Sequence, residues 1–207
     1  RAQLTEDLRA ALADGQLHLV FQPIVDLPSG HIGKAEALLR WEHPERGSIP
    51  PMIFIPVAEQ TGLIKELGDF VFADTLTVVQ RCRQREPDFA ISFNMSPLEI
   101  GDEGDLHERR MRSMEQARVP GSALVLEITE GLMLDRTEVA VANLLKYRQG
   151  GMQFAIDDFG TGYSSLSYLQ QLDADYLKID RSFVMELGRD RGSLVLCEAI
   201  IDMAHKL

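Results

Sequence analysis

ALVLEITEGLMLDRTEVAVANLLKYRQGGMQFAIDDFGTGYSSLSYLQQLDADYLKID, residues 123–180, is the stretch on which the fold turns. Short apolar runs at Ala123 to Ile128, Met152 to Ile156 and Tyr176 to Ile179 read as strands. Between them lie two segments with helical spacing, Glu138 to Arg148 and Ser164 to Leu172, and the first ends at Gly150 and Gly151, where a helix C-terminus favours glycine. Strands alternating with helices predict an α/β fold, a mostly parallel sheet joined by crossover helices.

The pattern extends toward the N-terminus. Leu4 to Ala13 has helical spacing and is followed by Gly15, and LHLVFQPIV and HIGKAEALLRW then read as an antiparallel strand pair around the turn LPSG. Pro23 suits a strand end or an edge strand. HPERGSIPPMIF reads as a loop, Phe54 to Arg85 as helical, Phe89 to Met95 as a strand and Leu106 to Ala117 as a helix, and a last helix begins near Gly192. Six strands result. A dinucleotide-binding open sheet would carry GxGxxG, and neither that motif nor a Walker A loop occurs. Polar residues recur instead at many strand ends, which favours a barrel.

The 207 residues, 45% apolar and 26% charged, suit one large domain with a real core. A net charge of −11 argues against a nucleic acid polymer as partner, since such binding uses a basic surface. Cys82 and Cys197 are far apart without CxxC spacing, so both read as packing residues in a reduced, cytoplasmic compartment. No apolar run reaches the roughly 18 residues of a membrane span, although an anchor outside these residues stays open. The chain begins without Met and stops at Leu207 within a helical pattern, which reads as a piece of something longer.

The strand-end residues are Glu36, Asn94, Glu127, Glu130, Asp157, Asp158, Lys178 and Asp180. Ionised carboxylates are costly to bury alone, so several converging ones point to a divalent cation. Strand alternation places Lys34, Glu36, Leu38 and Arg40 on one face, so Glu36 is either a metal ligand beside a phosphate-clamping Arg40 or its ion-pair partner. Asn94, taken alone, fits a strand-end cap better than a ligand, and a buried Glu127 needs a partner. Asp157 and Asp158 can serve one site only if the backbone turns at Asp158, where the loop with Gly160 and Gly162 begins. Lys178 shares a face with Asp180 and reads as a salt bridge or as a charged group orienting water.

The segments QPI, EALLRW, HP, FIPVAEQTGLI, NMSP, EITE, DDFGTGYSSLSYL and KIDRSFV, in this order, resemble the EAL domain family of cyclic diguanylate (cyclic di-GMP) phosphodiesterases over nearly the whole chain. The resemblance implies a TIM-like (β/α)8 barrel variant with one antiparallel strand, hydrolysing cyclic di-GMP to linear pGpG with two magnesium or manganese ions. It assigns Glu36, Asn94, Glu127 and Asp157 to the first ion, and Asp157 with Asp158 to the second. Glu130 matches the residue that steadies the DDFGTG loop, Lys178 the lysine beside the attacking water, and Asp180 an acidic group near the metals. Gln22 and Arg40 match substrate contacts. The family's last two strands, with their EGVE glutamate and a glutamine, are absent from these residues, so residues 1–207 read as a C-terminally incomplete domain whose isolated turnover is in doubt. RAQLTEDLRAAL resembles the joint after a GGDEF domain, and a homodimer is expected of the complete protein. Two rival readings are a receptor that binds cyclic di-GMP without cleaving it and a barrel enzyme using lysine as base on a carboxylate substrate.

Overall fold

The computed structural model describes residues 2–130, 137–161 and 173–206. Its strands are β1 (Leu17–Ile24), β2 (Lys34–His43), β3 (Gly47–Ile49), β4 (Ala90–Asn94), β5 (Leu124–Thr129), β6 (Gln153–Phe159) and β7 (Tyr176–Ile179). The helices are α1 (Ala2–Ala13), α2 (Pro51–Thr61), α3 (Ile64–Arg83), α4 (Pro97–Ile100), α5 (Leu106–Ala117), α6 (Glu138–Gln149), α7 (Arg181–Met185) and α8 (Arg191–Ala204). β1 is antiparallel to β2, and β2, β4, β5, β6 and β7 then pair in parallel in that order. This is the TIM-like barrel variant with one antiparallel strand that the sequence predicts. Among the described residues β1 and β7 are the sheet edges, and Pro23 lies in β1. The helix expected at Ser164 to Leu172 lies outside the described residues.

The β1–β2 turn is set by Asp26, whose Oδ1 accepts from Ser29 N at 2.9 Å, with Gly30 at φ 71° closing the reversal. The segment read as a loop after Trp41 holds a strand: β3 folds back on β2 with Trp41 opposite Ile49, and the hairpin closes at Gly47, φ 67°. Three residues are too few to show alternation. The helical region from Phe54 onward is two helices, because Gly62 at φ 77° ends α2 before α3 begins. No helix among the described residues is long and apolar enough to cross a membrane.

Strand alternation divides the residues between two environments. Ile91 and Phe93 of β4, Leu124, Leu126 and Ile128 of β5, and Phe154 and Ile156 of β6 face outward against α3, α5, α6 and α8, in a core that includes Phe72, Leu76, Met114, Leu144, Tyr147 and Ile200. A second core joins α1 and α2 to β2, where fully buried Trp41 meets Phe54 edge-on at 5.6 Å and donates through Nε1 to Gln16 Oε1. The opposite face of the strands lines the barrel interior. Ala90, Val125 and Ala155, with Tyr176 against them, form a small apolar layer there.

Candidate metal and active site

Two residues beyond that apolar layer, the inward positions turn acidic. Glu36 of β2, Glu127 of β5 and Asp157 of β6 each present a carboxylate oxygen within 4.8 Å of the others. The Lys178 ammonium of β7 sits among them, 2.5 Å from Glu127 Oε2 and 3.1 Å from both Glu36 Oε2 and Asp157 Oδ2. Asn94 Nδ2 donates to Glu36 Oε1 at 3.1 Å. Glu36 thus pairs with Lys178, whereas Arg40 donates to the Leu39 carbonyl, so the Glu36–Arg40 ion pair is not the arrangement found.

Glu127 is 1% exposed. Burial pushes its carboxyl up to about 7, against the opposing pull of the Lys178 ammonium and the Ser92 hydroxyl. Burial also works against the charge on Lys178, but Glu127, Asp157 and Glu36 outweigh it and hold the ammonium above its usual range. Three carboxylates face one ammonium, so the cluster is short of positive charge. An all-oxygen donor set of this kind, completed by the Asn94 amide, fits a hard divalent cation.

The backbone does turn at Asp158. Its φ is 53°, and the β6–β7 register shifts between Ile156 and Phe159, a bulge that breaks alternation so that consecutive aspartates reach the same end of the barrel. Asp157 Oδ1 accepts from Asp158 N at 3.0 Å. Burial, then the Asp157 and Asp180 carboxylates, raise the Asp158 carboxyl above its ordinary value. Asp180 faces this group while acting as N-cap of α7, accepting from Ser182 N at 2.9 Å and from the Ser182 hydroxyl. Those two hydrogen bonds hold its own carboxyl below the usual range. Glu130, buried just past β5, accepts from Gly160 N at 3.1 Å, which ties the start of the loop to β5. Gly162 lies outside the described residues.

The two expected substrate contacts line different cavities. Gln22 stands opposite Glu36 in the β1–β2 ladder and borders a cavity of about 300 Å³ with Glu36, Glu127 and Lys178. Arg40 borders one of about 420 Å³ with Met52, Pro56, Glu59, Asn94 and Ser96. A support missed in the sequence holds the end of β4: one Glu99 oxygen accepts from Ser96 N at 3.0 Å, and the other accepts from Arg110 Nη2 at 2.6 Å in a buried ion pair. The S-x-x-E spacing of Ser96 and Glu99 is the signal that marks it, a capping box.

Comparison with known proteins agrees with this geometry. The EAL domain family model matches residues 5–207. The uncharacterized protein y4lL of Sinorhizobium fredii is 40% identical over 207 residues, covering 100% of this chain and 24% of its own length. The bifunctional diguanylate cyclase/cyclic di-GMP phosphodiesterase MucR of Pseudomonas aeruginosa is 39% identical over 212 residues, covering 99% of this chain and 30% of its own. The solved PaMucR phosphodiesterase in complex with c-di-GMP superposes with a TM-score of 0.91 at 38% identity, over 99% of this chain and 83% of that one. The EAL enzyme Bd1971, in its form with cAMP and cyclic-di-GMP bound, gives 0.90 at 33% identity over 99% and 56%. The chain spans from 24% to 30% of the length of these curated relatives. With its carboxylates, asparagine and lysine converging inside the barrel sheet and a family match running from residue 5 to residue 207, the chain belongs to the EAL domain family.

Proposed function

We propose that this chain is the catalytic module of a metal-dependent phosphodiesterase that hydrolyses cyclic di-GMP to linear pGpG. The observation that carries the proposal is the convergence of Glu36, Glu127 and Asp157 on one ammonium-sized position inside the barrel. Glu36, Asn94, Glu127 and Asp157 would hold one magnesium or manganese ion, and Asp157 with Asp158 a second. Such ions, when bound, lower the pKa of a coordinated water and offset the charge of the scissile phosphate.

The chain's own groups do the rest. A carboxylate-lined interior repels a phosphodiester until its charge is inverted, so occupancy by cations and by substrate are coupled. Lys178 stays protonated and donates to the attacking water or to a phosphate oxygen, acting on the chemical step. Glu130, through Gly160 N, ties the backbone just past Asp157 and Asp158 to the end of β5. Asp180 lies beside Asp158 and supports the second position through their shared contact. Arg40 offers a planar guanidinium to a phosphate or base, and Gln22 an amide at the level of Glu36. The proposal extends to a cytoplasmic location, a flanking regulatory domain such as GGDEF and a homodimer in the complete protein. The first part of MucR's name, a diguanylate cyclase, supports the flanking domain.

The test is pGpG release by the full-length protein given cyclic di-GMP with magnesium or manganese, and its loss on chelation. Binding without cleavage under both metals would replace the enzyme with a receptor.

A further inference from the structure

β2 and β7 are not neighbours in the sheet, with β4, β5 and β6 between them, yet they are joined twice across the barrel. The upper link is Lys178 to Glu36 at 3.1 Å. The lower one, two residues earlier on each strand, is Lys34 Nζ donating to Tyr176 OH at 2.6 Å, with the ammonium 3.9 Å from the ring centroid. Tyr176 OH donates onward to Gln153 Oε1 of β6 at 3.2 Å. Alternate strands of an eight-strand barrel contribute the same interior layer. Lys34, Val125 and Tyr176 each stand two residues before Glu36, Glu127 and Lys178 on β2, β5 and β7, and all six border one cavity.

We infer that Lys34 and Tyr176 are positioning residues: their hydrogen bond braces β2 against β7 and thereby sets where Lys178 stands relative to Glu36. β7 packs outward through Leu177 and Ile179 against the helix-facing core, and inside the barrel Tyr176 and Lys178 are its two inward contacts with β2. It is four residues long, and its ladder to β6 is broken by the bulge at Asp157 and Asp158. The polarity of the two links is opposite, the cation rising from β2 below and from β7 above, so one cannot replace the other by a shift of register. Lys34 and Tyr176 border the same cavity as Gln22, Glu36 and Lys178, but their hydrogen bond lies two residues below the carboxylates that converge on Lys178. Their effect passes through the strands.

The inference rests on the phosphodiesterase reading for its kinetic arm and is independent of it in the other. In the full-length protein, Tyr176→Phe and Lys34→Met are each expected to lower kcat roughly tenfold with KM within about twofold, since a displacement near 1 Å at a reacting centre costs up to about a hundredfold. The double variant should fall no more than about twofold below either single, because both remove one link. Lys34→Arg, which still donates to the phenol, should retain kcat within about threefold. In metal-free protein, amide exchange over Tyr176–Ile179 should accelerate in both single variants and be restored in Lys34→Arg. Tyr176→Phe keeps the Lys34 charge, so loss in Lys34→Met alone, or a multiplicative double loss, would overturn the brace. Unchanged exchange over β7 would overturn it as well. A parent protein without turnover would defeat the phosphodiesterase reading and leave the exchange measurement to decide the brace.

Discussion

Lys178 Nζ approaches Glu127 Oε2 to 2.5 Å, nearer than either of its other carboxylate partners. The lysine therefore neutralises the most buried acid of the cluster. Lys178→Ala is expected to lower kcat by about a hundredfold or more, the lower range for a positioned proton-transfer or charge-stabilising group, while KM changes little. Steady-state pGpG kinetics on the full-length variant check it; an unchanged kcat with a raised KM would make Lys178 a binding residue.

Asp157→Asn should abolish tight magnesium or manganese binding and leave the fold intact. The side chain is inward and its outward neighbour Ile156 carries the packing. Titration calorimetry with manganese and a far-ultraviolet spectrum decide the two halves of this expectation. Unchanged affinity would remove Asp157 from the metal set.

The Glu127 carboxyl, raised to about 7 from an ordinary value of 4.5, ties metal affinity to pH. Its proton must leave before a cation binds, so affinity should fall as pH drops below about 7 and binding near neutrality should release protons. The stability sign is the reverse for metal-free protein. A raised carboxyl stabilises the fold fully below its unfolded value and loses that contribution as pH rises through about 7, so Glu127→Gln should flatten the metal-free melting profile in this window. Calorimetry in two buffers of different ionisation enthalpy, with melting curves of both proteins, measures both effects.

Gly68→Ala inverts an ordinary rule. Within a helix this change normally stabilises by about 1 kcal/mol, but a Cβ at Gly68 of α3 would fall on Glu99 Oε1, beside Arg110 Nη2. Glu99 and Arg110 are 5% and 2% exposed, and burial already raises the Glu99 carboxyl. Breaking a buried pair costs about 3–5 kcal/mol, so a clear drop in melting temperature is expected. Manganese affinity should weaken with it, since Glu99 also holds the Ser96 amide just past Asn94.

The parts of this fold legible in sequence are those governed by local rules. Alternation separates Glu36 from Ala37 and Glu127 from Leu126, and the structure puts the first of each pair inside the barrel and the second in the helix-facing core. The turn at Asp158 was also readable, because two adjacent acids can serve one site only through such a break. What stayed hidden depends on distance across the barrel. Nothing local indicates that residues 36 and 178, or 34 and 176, meet. The S-x-x-E spacing marks Glu99 as a capping residue, but its pairing with Arg110 and the constraint on Gly68 are not local, since they depend on how α3 and α5 lie over α4. Asp180 was readable as an acid at a strand end, but the five-residue helix it caps was too short to show a period.

The alternation along β5 has a consequence for how such a chain can change over time. Leu126 answers to the helix-facing core, whereas Glu127, one residue on, answers to whatever occupies the barrel interior. Two kinds of selection therefore act on interleaved letters of the same six-residue word. Drift in the helix-facing letters leaves the chemistry untouched so long as the backbone holds its line, and the inward letters can be rewritten for a different ligand without dismantling the scaffold.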